Sequence, residues 1–306
     1  MSLHTPSENG SARTPVTPRT IRAMRERGEP FACLATYDAL TARLCEEAGV
    51  HVLLMGDSAA QVVLGHDSTI RMPLDVSIAM TAALKRGAPS TLVMADMPFM
   101  SYQASADDAL VNAGRFMSEG LADIVKIEVD ASFAPLVDRM TRAGIPVCAH
   151  IGLRPQSVSL IGGYAAQGRT DADADTIVRD AKALEASGAA MLLIEAVPAE
   201  VAERVIASTS IPVIGIGAGP APHGQILVLH DLLGLTPWQP GFVRVEADLR
   251  SSVRESLSRW VARVSEREAT PHRYTMKSRV AGEPKGNTPV SQPVVESGDA
   301  DAGDAR

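Results

Sequence analysis

The chain has 306 residues, 45% of them hydrophobic and 4% aromatic, and carries 29 Lys+Arg against 36 Asp+Glu for a net charge of −7. An acidic chain with few aromatics and no basic stripe is poorly suited to a nucleic-acid backbone or an anionic membrane surface, which leaves small-molecule chemistry as the better expectation. No apolar run approaches the ~18 residues of a membrane span, and residues 1–30 lack the apolar centre of a secretion signal. Cys33, Cys45 and Cys148 are odd in number and lack CxxC spacing, so neither a disulfide framework nor a cysteine-rich zinc site is expected. A reducing, cytoplasmic setting fits. The five arginines between Arg13 and Arg27 would suit an organelle presequence, but Glu26 and Glu29 weaken that alternative.

In chain order, residues 1–18 are rich in Pro, Ser and Thr without apolar periodicity and read as a disordered tail. FACLAT from Phe31 reads as a first strand, and Asp38 is placed to accept from the free N–H groups of the helix that follows. One unit then recurs: a helix-like stretch, a glycine, and a short apolar run ending in a polar residue. It appears as EEAGVHVLLMGDS from Glu46, KRGAPSTLVMADM from Lys85, EGLADIVKIE from Glu119, RAGIPVCAH from Arg142, ASGAAMLLIE from Ala186 and SIPVIGIGAG from Ser210. Further helix starts are predicted at Asp75 and at Ser105, with Asp108 three residues on. Each unit's glycine suits a left-handed helix C-cap. QILVLH from Gln225 completes eight strands.

The apolar runs do not alternate with polar residues, as expected of parallel strands buried on both faces. Eight such units in about 250 residues match a closed (β/α)₈ barrel, a TIM-type α/β fold, better than an open sheet. GIGAG at Gly215 lacks the fingerprint of a dinucleotide site. One catalytic barrel is expected over residues 19–268, and a second disordered tail over 269–306.

Counting from the unit glycines, Asp57 lies 8 residues after Gly49, Asp96 9 after Gly87, Glu128 8 after Gly120, His150 6 after Gly144 and Glu195 7 after Gly188. In a parallel barrel these strand ends open on one mouth, where barrel enzymes build their sites. An acid ending a strand also serves as a helix cap, and each residue taken singly allows that reading. Four crowded carboxylates, however, repel one another unless a cation or shared protons compensate, and a metal is the simplest compensation. With oxygen ligands only, Mg²⁺ is favoured over Zn²⁺, and Asp57 and Asp96 suffice as direct ligands. Such a metal would chelate a 2-oxo acid and stabilise its enolate. Lys126, on the same strand face as Glu128, would meet the substrate carboxylate, or else form an ordinary ion pair. His150 fits a structural and a catalytic role equally. A partly desolvated Glu195 suits proton transfer near neutrality, with helix capping as its competitor. The loop from Ile151 to Thr170 is long enough to close over a substrate or to be plain irregular chain. Met55, Met94 and Met97 read as core filling.

The ordered segments TYDALTARL, MGDS, GHDST, KRGAP, ADMPFMSY, VKIE, CAHIGLRPQSV, GGYAAQGR, IEAVP, PVIGIGAG and GQILVLHD, from about Thr20 to Gly241, resemble the ketopantoate (3-methyl-2-oxobutanoate) hydroxymethyltransferase family. The resemblance implies a (β/α)₈ barrel of the phosphoenolpyruvate mutase and isocitrate lyase superfamily. It also implies Mg²⁺-dependent transfer of a hydroxymethyl group from 5,10-methylenetetrahydrofolate to 3-methyl-2-oxobutanoate, giving 2-dehydropantoate for pantothenate biosynthesis. By that resemblance Asp57 and Asp96 are metal ligands and Glu128 the third metal-site acid. Ser58 and Lys126 would hold the oxo acid with Asp57 and Asp96; Glu195 is the general base, and His150 a site residue of unassigned role. A homo-oligomer, a decamer in the family, is implied with them. The chain departs from the family pattern at Ala59, Ala60, Val129, Asp130 and His223, positions that bear on folate or substrate-loop contacts. Two rival readings are a C–C lyase or oxo-acid hydrolase of the same superfamily and a catalytically silent metabolite-binding barrel.

Overall fold

A computed structural model describes residues 13–268 and Tyr274. Eight strands, β1 (Phe31–Ala35), β2 (Val52–Met55), β3 (Leu92–Asp96), β4 (Ile124–Glu128), β5 (Val147–Gly152), β6 (Met191–Glu195), β7 (Val213–Ile216) and β8 (Gly224–Val228), close into a parallel barrel in sequence order. The chain divides into two units, Met1–Ser256 and Leu257–Arg306, and the barrel lies in the first. The boundary between the two units falls within a last helix that buries none of its residues. The C-terminal tail expected over 269–306 falls outside the described residues, Tyr274 apart.

Helices α1 (Pro18–Glu26), α2 (Ala39–Glu47), α3 (Ala59–Val62), α4 (Leu74–Gly87), α5 (Ala106–Ser118), α6 (Ala134–Arg142), α7 (Val158–Ile161), α8 (Asp171–Ala186), α9 (Ala199–Ser208), α10 (Leu229–Leu232) and α11 (Leu249–Ser265) fall between and around the strands. Asp38 caps α2 by accepting from the backbone N–H groups of Leu40 and Thr41 at 2.8 and 2.9 Å, and Ser105 caps α5 through Asp108. Asp75 does not cap: α4 begins one residue earlier, after Pro73, so Asp75 sits inside its first turn. The helix-ending glycines divide as well. Gly49, Gly144 and Gly188 take the left-handed conformation, whereas Gly87, the last residue of α4, and Gly120 lie outside that region, and at Gly87 the Ala39 carbonyl leaves no room for a Cβ.

The expected N-terminal tail gives way to bound chain before residue 19. Residues 1–12 lie outside the described residues, but Arg13 donates to the carbonyls of Glu46, Gly49 and Val50 at the end of α2. Val16 is buried, and Thr17 and Thr20 form a capping box on α1. Arg13 and Arg25, two of the five arginines weighed as a presequence, bind barrel carbonyls. Satisfying those orphan C=O groups is a structural use for the basic stretch.

Strand side chains alternate between two apolar layers. Met94, Ile124, Cys148, Leu193, Ile214 and Ile226 cluster together, while their strand neighbours Ala95, Val125, Ala149, Leu192 and Val213 pack with the helices. The first set fills the barrel interior, which a barrel of eight strands is just wide enough to close. All three cysteines are free and buried, and Met55, Met94 and Met97 are fully buried.

Candidate active site

The register places the interior parity on one ring. Asp96 pairs with Lys126 and Glu128 with His150, while Glu195 lies opposite Gly152, two residues beyond His150. Each ionisable residue continues the row of apolar side chains below it: Asp96 above Met94, Lys126 and Glu128 above Ile124, His150 above Cys148, Glu195 above Leu193. The core turns polar over its last layer, at the C-terminal mouth. Asp57 joins from the turn after β2.

Asp57, Asp96, Lys126, Glu128 and His150 are all buried. The Lys126 ammonium donates to Asp96 Oδ2 at 2.6 Å, and the Asp57 backbone N–H donates to the same oxygen at 3.2 Å. His150 stands between two glutamates, with Nδ1 3.6 Å from Glu128 Oε1 and Nε2 3.3 Å from Glu195 Oε2. These are ion-pair contacts without hydrogen-bond alignment, and both ring nitrogens are buried without a hydrogen-bond partner among the described residues. Burial and the nearby Asp96 charge push the Asp57 carboxyl well above its usual range. Burial opposes the Lys126 ammonium, but Asp96, Glu128 and Asp57 outweigh it and hold the group above its ordinary value. Burial and Lys126 likewise disfavour a charged His150; the contacts with Glu128 and Glu195 prevail and raise it.

None of the acids is a helix cap. The helix after Glu195, α9, has Pro198 as its N-cap and no side-chain cap, and Ser58 before α3 makes no cap bond. Glu195, with 20% of its side chain exposed, is the member of the set most open to the mouth. Ser58 exchanges a 2.8 Å hydrogen bond with the Tyr37 hydroxyl. Cys148 lies one layer below His150, buried in the barrel and away from the mouth loops.

Three participants were not expected from the sequence. Gln156 donates through Nε2 to Asp57 Oδ2 at 3.1 Å and through its backbone N–H to Glu128 Oε2 at 2.8 Å. The Tyr102 hydroxyl lies 2.9 Å from Gln156 Oε1 and accepts from the Glu128 backbone N–H at 3.0 Å. Tyr37 is the third. The loop containing Gln156 is not plain irregular chain: it holds a turn at Pro155–Ser157 and α7, and returns to β6 through the Gln167 N–H to Ala196 O bond.

The departures from the family pattern sort by position. His223 precedes β8 and accepts the Val213 N–H on Nδ1 at 3.1 Å, at the barrel end opposite the mouth. Ala59 and Ala60 are buried in α3 beside Ser58, and Val129 is buried after β4. Asp130 pairs with Arg154 at 2.8 Å and so fastens the loop that carries Gln156.

The donor set fits a hard cation. Hydrogen bonds engage Oδ2 of both Asp57 and Asp96, while Asp96 Oδ1 and Glu128 Oε1 are buried without a hydrogen-bond partner among the described residues. Among the described residues no group of three or more His, Cys, Asp or Glu side chains is placed to hold a metal ion. A cation here would therefore rest on one or two of these carboxylates and take its other positions from water and substrate oxygens, a mode that Mg²⁺ tolerates.

No helix among the described residues is long and apolar enough to cross a membrane. Among solved structures the chain is similar to phosphonopyruvate hydrolase in complex with oxalate and Mg²⁺ (TM-score 0.57, 16% identity, covering 82% of this chain and 88% of that one). It is also similar to 2,3-dimethylmalate lyase, a PEP mutase/isocitrate lyase superfamily member (TM-score 0.51, 17% identity, 82% and 87%). At these identities the likeness concerns the fold. Sequence relatives reach further. The 3-methyl-2-oxobutanoate hydroxymethyltransferase of Thermobifida fusca is 46% identical over 267 residues, covering 86% of this chain and 95% of the relative. Its counterpart from Halorhodospira halophila is 47% identical over 249 residues, covering 81% and 90%. Residues 15–271 match the family model described as ketopantoate hydroxymethyltransferase. The chain therefore belongs to the ketopantoate hydroxymethyltransferase family of enzymes.

Proposed function

We propose that this enzyme transfers the one-carbon unit of 5,10-methylenetetrahydrofolate to 3-methyl-2-oxobutanoate, forming 2-dehydropantoate with Mg²⁺ held by Asp57 and Asp96. With water as the source of the new hydroxyl, the reaction releases tetrahydrofolate. The observation that carries the reading is the buried cluster of Asp57, Asp96 and Glu128 around a single ammonium, Lys126, with Glu195 open to the mouth beside it. When bound, Mg²⁺ would polarise the keto oxygen and stabilise the charge of the enolate.

The protein's own groups divide the remaining work. Lys126 is fixed by Asp96 at the position where a substrate carboxylate needs a cation. Ser58, oriented by Tyr37, adds a hydroxyl at the same rim. Glu195 takes the C3 proton of the oxo acid as general base, and C3 then forms the new bond to the folate-borne carbon. His150 is held between Glu128 and Glu195, so a proton arriving on Glu195 meets an imidazole 3.3 Å away. Glu128 acts as the third acid of the metal site from behind, with Oε2 fixed by the Gln156 N–H.

The same reading covers a cytoplasmic enzyme for pantothenate synthesis that works as a homo-oligomer, a decamer in the family. Leu40 and Leu44, 66% and 57% exposed one turn apart on α2, support an assembly surface. The test is product formation from both substrates with and without Mg²⁺. Asp57→Ala and Asp96→Ala are each expected to abolish Mg²⁺-dependent turnover while remaining folded, and normal turnover in either variant would refute its assignment as a ligand.

A further inference from the structure

Gln156 has no part in the proton or carbon transfer, yet it is 5% exposed and every hydrogen-bonding group of its side chain is committed. Nε2 faces two acceptors, Asp57 Oδ2 at 3.1 Å and the Met97 carbonyl at 3.0 Å. Oε1 faces two donors, the Tyr102 hydroxyl at 2.9 Å and Gln103 Nε2 at 3.1 Å. Turning the amide over would set its oxygen against two acceptors, the Asp57 carboxylate and the Met97 carbonyl, so its orientation is fixed by its surroundings.

What it fixes in turn is Asp57. The other acids and Lys126 sit on strands, where pairing and parity set their direction. Asp57 stands two residues beyond the end of β2 and lacks that constraint. The Gln156 amide supplies a direct bond to its carboxylate, and the Gln156 backbone N–H holds Glu128 from the same turn. That turn, Pro155–Ser157, is anchored by the Arg154 to Asp130 ion pair and packs against the turn Thr69–Arg71. One residue of the β5 loop thus reaches acids presented by β2 and by β4.

We infer that Gln156 is a positioning residue that completes the cation seat only when the loop of residues 153–163 is docked, so that Mg²⁺ binding and docking of this loop reinforce each other. The inference rests on the reading of Asp57 as a metal ligand. Groups that orient a metal-bound carboxylate change metal affinity when they are removed, typically by about 10- to 100-fold, and coupling between two events is reciprocal in free energy.

The experiment uses the full-length enzyme stripped of divalent ions. Mg²⁺ is titrated calorimetrically into wild type, Asp57→Ala and Gln156→Met, the last keeping length and bulk without donors. In parallel, amide hydrogen exchange of residues 153–163 is followed in wild type across the same Mg²⁺ range. The expected result is a loss of Mg²⁺ affinity of about 10- to 100-fold in Gln156→Met. Wild type should also show Mg²⁺-dependent slowing of exchange in the loop with the same midpoint as binding. Wild-type affinity in a folded Gln156→Met, or loop exchange indifferent to Mg²⁺, would overturn the inference while leaving the metal assignment standing. Equal binding by wild type and Asp57→Ala would overturn the metal assignment, and the inference with it. If Gln156→Met fails to fold, the wild-type exchange measurement decides.

Discussion

Lys126→Met isolates the electrostatics of the mouth. The ammonium sits 2.6 Å from Asp96 Oδ2 with 5% of its side chain exposed, and Asp57 and Glu128 crowd the same space. At an effective dielectric of about 20, a contact at that distance is worth about 6 kcal/mol before desolvation. Relieving the burial of the ammonium returns part of that, which leaves the ~3–5 kcal/mol usual for removing one partner of a buried pair. Methionine fills the stem's volume, so packing contributes little to the loss. The pH dependence carries the diagnosis. Burial and Asp96 already raise the Asp57 carboxyl and Lys126 opposes them, so without Lys126 it binds its proton still more readily in the folded than in the unfolded chain, and the variant regains stability relative to wild type as pH falls. Urea unfolding in metal-free buffer at two pH values, one near neutrality and one more acidic, is the assay. A loss below about 1 kcal/mol, the range of exposed pairs, or an equal loss at both pH values would refute the reasoning.

Three further outcomes follow from other parts of the molecule. Asp38→Ala removes the acceptor for two first-turn N–H groups of α2 and is expected to cost about 1 kcal/mol in chemical denaturation. His223 accepts the Val213 N–H, and burial together with Arg25 lowers its protonation below the ordinary histidine range. The unfolded chain therefore binds that proton more readily, and stability is lost as pH falls through the histidine range; His223→Gln should flatten the slope of unfolding free energy between about pH 7 and pH 5. Glu195→Gln should keep the affinity for 3-methyl-2-oxobutanoate by calorimetry, because the proposed function gives the holding of the oxo acid to other groups, and a loss of affinity comparable to that of Asp96→Ala would contradict its assignment as the base.

Most of the barrel and the charged part of its mouth were legible because they follow from periodicities. The glycine to apolar-run spacing located the strands, and parity then placed Lys126 and Glu128 on one face, as the pairing of Asp96 with Lys126 and Glu128 with His150 shows. Helix capping, a real competitor for Glu195 in the sequence, is removed by three-dimensional context: Pro198 begins the next helix and His150 faces the carboxylate. Gln156, Tyr102 and Tyr37 were not legible as site residues because neutral polar side chains on loops obey no period. The only signal for Gln156 was its place in CAHIGLRPQSV, beside the family's own residues. Asp75 misled for a local reason, since an acid in the first turn and an acid at the cap differ by one or two positions in sequence. The bound segment from Arg13 to Thr17 was hidden by its composition: its anchor is an arginine reaching carbonyls of α2, and hydropathy does not register such contacts.

The central claim is that this mouth enolises an oxo acid with Glu195 as base and Mg²⁺ on Asp57 and Asp96. NMR-detected exchange of the C3 hydrogen of 3-methyl-2-oxobutanoate in D₂O, with folate left out, separates that step from one-carbon transfer. The account predicts exchange that requires Mg²⁺ and is lost in Glu195→Gln. Absence of exchange by folded wild-type enzyme with Mg²⁺, persisting after tetrahydrofolate is added, would contradict it.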